Sequence, residues 1–103
     1  MVALFHVTSA TNASRILADG FADGHDSYLT DQIFSGVWLS DRPLDANEGA
    51  WGDTVLKITF PCDLADLTKY EWIEVGKNHR EWLIPASAIN VSSVQITVFD
   101  SGI

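Results

Sequence analysis

Apolar residues in this chain arrive in runs too short for helices, each closed by a turn former. Residues 2–7 form the first run. Residues 36–40 form the second, followed by Asp41-Arg42-Pro43. Residues 54–60 are the clearest run and stop at Pro61; residues 80–84 stop at Pro85. Lengths of this kind, rich in β-branched and aromatic residues, read as strands. Residues 70–75 and 91–99 alternate apolar and polar positions, as half-buried strands do. Helical spacing is clear once, where Ala13, Ile16 and Leu17 share a face. Thr8-Ser9-Ala10-Thr11-Asn12 offers N-cap side chains before it, and Gly20 closes it. Phe21 is expected to dock back onto the core. The order is one strand, one helix, then several strands with little helix. That predicts an α+β fold with a mainly antiparallel sheet system and one or two packed helices, not a doubly wound parallel sheet.

The remaining segments are assigned by the same signals. Residues 22–35 have no clean period and are expected to be a loop, with a short helical turn near residues 30–34. Residues 44–50 are expected to form a short helix opening near Pro43. Leu64, Leu67 and Tyr70 suggest a helical turn or loop. With 103 residues and no linker or repeat, one domain covering residues 1–103 is the expectation.

Charge narrows the partners. The chain carries 14 acidic and 6 basic residues, a net charge of −8. Lys57, Lys69 and Lys77 are scattered, so no basic footprint is available to neutralise phosphates, which speaks against nucleic acid as a main partner. Cys62 is the one cysteine, so no intrachain disulfide forms. The stretch MVALFHVTSA lacks the basic start and long apolar run of a signal peptide, and no run approaches the ~20 residues that span a bilayer. A cytoplasmic protein without membrane contact is expected.

Familiar chemical motifs are missing. There is no G-x-S-x-G elbow and no phosphate loop of the G-x-x-x-x-G-K type. His6, His25 and His79 lack metal-ligand spacing. Three segments instead place a polar or aromatic residue inside an apolar strand. They are Phe5-His6-Val7-Thr8-Ser9, Gly36-Val37-Trp38-Leu39-Ser40 and Arg80-Glu81-Trp82-Leu83-Ile84-Pro85. Alternation puts Trp38 and Ser40 on one face of their strand, and Glu81 on the face away from Trp82. A glutamate in a short apolar strand must be solvated, paired or functional.

In this order the three segments resemble the small ADP-ribosyltransferase superfamily, which includes poly-ADP-ribose polymerases, rifampicin ADP-ribosyltransferases and RNA 2′-phosphotransferases. The resemblance runs from Leu4 to about Ile89. It rests on a His on the first strand, an aromatic on a middle strand and an acid on a later one, here His6, Trp38 and Glu81. The layout of helix, Gly20-Phe21, loop and Gly36-Val37-Trp38 is similar as well. The chain has Val7 where the family usually has Gly after the His, and Trp38 where it usually has Tyr.

The resemblance implies split β-sheets and NAD as the substrate that supplies ADP-ribose. Glu81 would stabilise the positive charge that develops at the nicotinamide ribose. His6 would hydrogen-bond a ribose hydroxyl. Trp38 would stack on the nicotinamide ring, and the Val7 backbone would meet its amide. Thr8 and Ser40 would bond nearby polar groups. Glu81 and His6 are thus the expected catalytic residues, and His6, Val7, Thr8, Trp38 and Ser40 the expected NAD-binding ones. The acceptor would be a small molecule or a protein; a 2′-phosphotransferase would need cationic groups that this chain hardly has. A second expectation is a non-enzymatic domain that binds NAD-like ligands or a protein. In plainer terms, His6 is a structural histidine at a strand end, Trp38 is core, and Glu81 is a surface partner of Arg80 or Lys77.

Overall fold

The computed structural model describes residues 1–22, 24–27, 33–43, 52–73, 76 and 79–99, with the backbone alone for 24–27 and 33–35. Seven strands are present among them: β1 (Val2–Thr8), β2 (Gly24–Ser27), β3 (Ile33–Ser40), β4 (Thr54–Phe60), β5 (Glu71–Trp72), β6 (Glu81–Ile84) and β7 (Gln95–Val98). Helix α1 (Ala10–Asp19) follows β1, a 3₁₀ helix (Leu64–Tyr70) precedes β5, and α2 (Ala86–Ile89) follows β6. Every strand pair is antiparallel, so the fold is the α+β arrangement expected.

The strands lie in the order β5-β6-β3-β1-β4-β7, with β2 paired to the start of β3. This is one continuous path rather than two separate sheets, but its middle is thin. β1 pairs with β4 along its whole length, from Val2↔Phe60 to Thr8↔Thr54. β1 and β3 share a single register pair, Phe5↔Ser40. The sheet is therefore two ladders joined at one rung.

Alternation along the strands decides what each face carries. Leu4, Val37, Leu39, Leu56, Ile58, Phe60, Trp82 and Ile84 point to one side and are buried. Ala13 and Ile16 of α1, Leu67 of the 3₁₀ helix, Ala86 and Ile89 of α2, and Phe21 join them in one core. The α1 stripe is narrower than its spacing suggested. Leu17 is 47% exposed, because the strip of α1 that meets the sheet is filled by Ala13 and Ile16. Ser9 is the N-cap, accepting from the Asn12 N–H at 3.2 Å, and the Gly20 N–H closes the helix on the Ile16 carbonyl.

Several expectations for the connecting segments change. Within the loop expected at residues 22–35, Gly24–Ser27 pair antiparallel with Ile33–Gly36, while residues 23 and 28–32 lie outside the described residues. Cross-strand pairing supplies hydrogen-bond partners that the weak local propensity of Gly-His-Asp-Ser did not advertise. Ile33 and Phe34 are strand, not helical turn; residues 30–32 lie outside the described residues, as do the helix expected at 44–50, Tyr28 and Trp51. The strand expected at 70–75 is only Glu71–Trp72. Tyr70 ends the 3₁₀ helix and Ile73 is 84% exposed, while residues 74 and 75 lie outside the described residues. The last strand begins at Gln95. Residues 91–94 form a turn closed by the Val94 N–H on the Val91 carbonyl at 3.0 Å.

One connection between the helix ends was invisible in the sequence. The Asn90 side chain brackets the backbone of Phe21, accepting from its N–H at 2.8 Å and donating to its carbonyl at 2.7 Å. This amide fork ties the end of α2 to the end of α1. Glycine is required at 52, where φ is +137° and a Cβ would lie 2.2 Å from the Thr8 carbonyl oxygen.

Candidate functional site

The single rung between β1 and β3 places the expected residues. Past Phe5↔Ser40, the next positions facing each other across the seam are His6 and Val7 on β1 and Leu39 and Trp38 on β3. A side chain bridges there: His6 Nδ1 lies 2.8 Å from the Trp38 carbonyl oxygen. A carbonyl only accepts, so Nδ1 carries the proton. Burial pulls the His6 pKa below its ordinary range, and the hydrogen bond to Trp38 opposes that only in part. The ring is therefore neutral near pH 7, with Nε2 as an acceptor. Phe21 meets the ring edge to face at 5.2 Å. Trp82 Nε1 is the one buried side-chain polar atom without a partner among the described residues.

The alternation that builds the sheet separates the trio. His6 opposes Leu56 on the core face. Trp38 opposes Leu83, and Ser40 opposes Glu81, on the other face. The structure thus brings His6 to the main chain of Trp38, and Glu81 to the strand position beside Ser40. It does not bring the His6 ring onto the face that carries the Trp38 indole. The Trp38 ring instead meets Trp72 of β5 edge to face, with centroids 5.7 Å apart. Trp72 in turn opposes Glu81. Two indoles and a carboxylate therefore share one corner of the second face.

Ser40 and Thr8 are both buried. Ser40 Oγ lies 2.7 Å from the Arg42 carbonyl and 3.3 Å from the Phe5 carbonyl, so its one proton serves the main chain at the rung. Val7 is half-buried and opposes Val55.

Glu81 is held by a residue the sequence did not single out. His79 Nε2 lies 2.5 Å from Glu81 Oε1. The His79 side chain is 3% exposed and that of Glu81 is 18%. They stand two residues apart, on either side of Arg80, and that short separation is the only signal the sequence offered. Arg80, between them, turns the other way and forks onto Glu71, with Nε at 2.8 Å and Nη2 at 2.7 Å. That bidentate contact holds the Glu71 carboxyl below the usual carboxylate range and raises Arg80. Arg80 also lies over the Trp82 ring, 5.1 Å from its centroid.

No grouping of His, Cys, Asp and Glu suited to a metal ion occurs among the described residues. No helix among them is long and apolar enough to cross a membrane. The chain matches no family model, no curated protein and no solved structure at a significant level.

Proposed function

We propose that this chain is an ADP-ribosyltransferase-like domain that takes NAD at the β1–β3 seam and transfers ADP-ribose to a small-molecule or protein acceptor. The observation that supports it most is the state of His6. Its ring is fixed by Nδ1 on the Trp38 carbonyl and is neutral, which leaves Nε2 as an acceptor. That atom suits a ribose hydroxyl as donor. β1 and β3 share one register pair, so His6 and Trp38 stand on adjacent strands that do not pair with each other there, each held in its own ladder, to β4 and to β6.

The same reading assigns the other groups the following roles. The Glu81 carboxylate would face the positive charge that develops as the nicotinamide–ribose bond breaks, where a fixed negative group is worth about 10²–10³ in rate. Trp38, flanked by Trp72, would present an aromatic surface to the nicotinamide. NAD also carries a pyrophosphate, which needs a cation. Lys57 opposes Phe5, on the face that carries Ser40 and Glu81, and has no ion pair among the described residues. Ser40 and Thr8, being buried, would act by shaping the seam; Val7 would offer its backbone.

The position of His6 on the opposite face from Glu81 favours a second reading, a binding module that holds NAD-like ligands or a protein without turnover. One experiment separates the two. The purified protein is incubated with NAD, nicotinamide release is measured, and Trp fluorescence follows binding. The transferase reading expects release above background and a loss of about 100-fold or more in Glu81→Gln. Binding without release sinks the transferase reading and keeps the module; activity unchanged in Glu81→Gln removes Glu81 from the site.

A further inference from the structure

We propose that His79 is the positioning residue for Glu81, holding its carboxylate by a hydrogen bond from Nε2–H to Oε1. The inference rests on the reading of Glu81 as the charge-stabilising group, and it adds a residue that this reading does not contain.

Three observations carry it. The first is the 2.5 Å contact itself, between an imidazole that is 3% exposed and a carboxylate that is 18% exposed. Of the two side chains, that of Glu81 is the more exposed. The histidine lies behind it.

The second is that the backbone under the pair is pinned. The Arg80 N–H donates to Asp41 Oδ1 at 3.2 Å, and the Asp41 N–H donates to the Arg80 carbonyl at 3.1 Å. Residue 80 is thereby tied to the turn that follows β3, while its side chain is forked onto β5. Residues 79 and 81 flank this fixed point, so both project from a backbone that cannot shift independently of β3.

The third is the corner in which the carboxylate stands. Trp72 and Ser40 occupy the strand positions on either side of Glu81, and Trp38 meets Trp72. A flexible glutamate in such a corner samples several rotamers. A hydrogen bond to a buried ring selects one, and a 1 Å error in the placement of a catalytic group costs up to about 100-fold.

The test compares His79→Gln, which keeps a donor near the Nε2 position, with His79→Phe, which fills the space without one. Nicotinamide release is measured for both at varied NAD. Positioning expects kcat to fall 10- to 100-fold in His79→Phe (on the order expected for a misplaced group) with KM within about threefold, and His79→Gln to recover most of that loss. Equal activity in both variants and wild type overturns the proposal, as does equal damage in both or a change in KM alone. The contact itself is read without any variant of His79. A protected imidazole N–H proton is expected in the NMR spectrum of the wild type and lost in Glu81→Ala; its absence from the wild type overturns the proposal. If the wild type releases no nicotinamide, the transferase reading fails, and the NMR signal alone decides whether His79 holds Glu81.

Discussion

At the scale of the residue, His6 is the group whose protonation the fold controls most clearly. Burial depresses its pKa in the folded chain, whereas the unfolded chain titrates near the ordinary value of about 6.5. Above that pH the ring is neutral in both states and its full contribution to stability is present. As pH falls below it the unfolded chain takes up the proton first, and stability is lost until the folded pKa is passed. Urea midpoints measured at about pH 7.5 and 5.5 should therefore fall less in His6→Gln than in wild type; an equal fall would mean that His6 is not buried neutral. The Glu71–Arg80 fork is a contrasting case. It is bidentate, but Arg80 is 45% exposed, and exposed pairs of this kind contribute at most about 1 kcal/mol.

At the scale of the element, the Asn90 fork joins two helices that have little else in common. α2 has four residues, too few to persist without tertiary contacts. Asn90→Ala would leave the Phe21 N–H and carbonyl without these partners, and should cost about 2 kcal/mol in chemical denaturation. It should also loosen His6, since the Phe21 ring meets the His6 ring. The strands were legible where the sequence alternates or runs apolar between turn formers: β1, β4 and β6 were located to within a residue or two, and α1 by its spacing and caps. What was not legible depended on partners far along the chain. β2 is polar and forms because β3 lies beside it. Asn90 reaches back 69 positions. The stretch before β7 alternates as a strand does, yet Val91 and Val94 close a turn on each other. At the site, His6, Trp38 and Glu81 were visible as polar or aromatic intrusions in apolar strands. Their division between two faces was not, since it depends on register, and neither was the contact of His79 with Glu81.

At the scale of the whole molecule, a net charge of −8 is spread over a body with a radius of gyration of 13.2 Å. Like charges at that density repel one another in the folded state. Raising the ionic strength from about 0.01 to about 0.1 M shortens the screening length from about 30 to about 10 Å. The urea midpoint should rise over that interval; a fall would mean that attractive pairs such as Glu71–Arg80 outweigh the repulsion. Under the NAD reading, the same charge would oppose binding of this anion at low salt, so affinity should not decline with salt as steeply as it does for basic phosphate-binding proteins.

The rung at Phe5↔Ser40 has a consequence for how the chain is tied together. β1, β4 and β7 belong to one ladder; β2, β3, β6 and β5 belong to the other. In chain order the polypeptide passes from the first to the second after β1, returns before β4, leaves again before β5 and returns before β7. The two halves are thus laced covalently four times where the strands pair at a single position. A protease cut in any one of those crossings would divide the chain into two pieces whose strands still pair with each other, β1 or β7 with β4, or β3 with β6, so a nicked molecule should stay in one piece. The same lacing makes the first ladder wait for chain from both ends of the sequence and the second for strands as far apart as residues 24 and 84, which places folding in the slower, milliseconds-to-seconds regime of topologies rich in distant pairings.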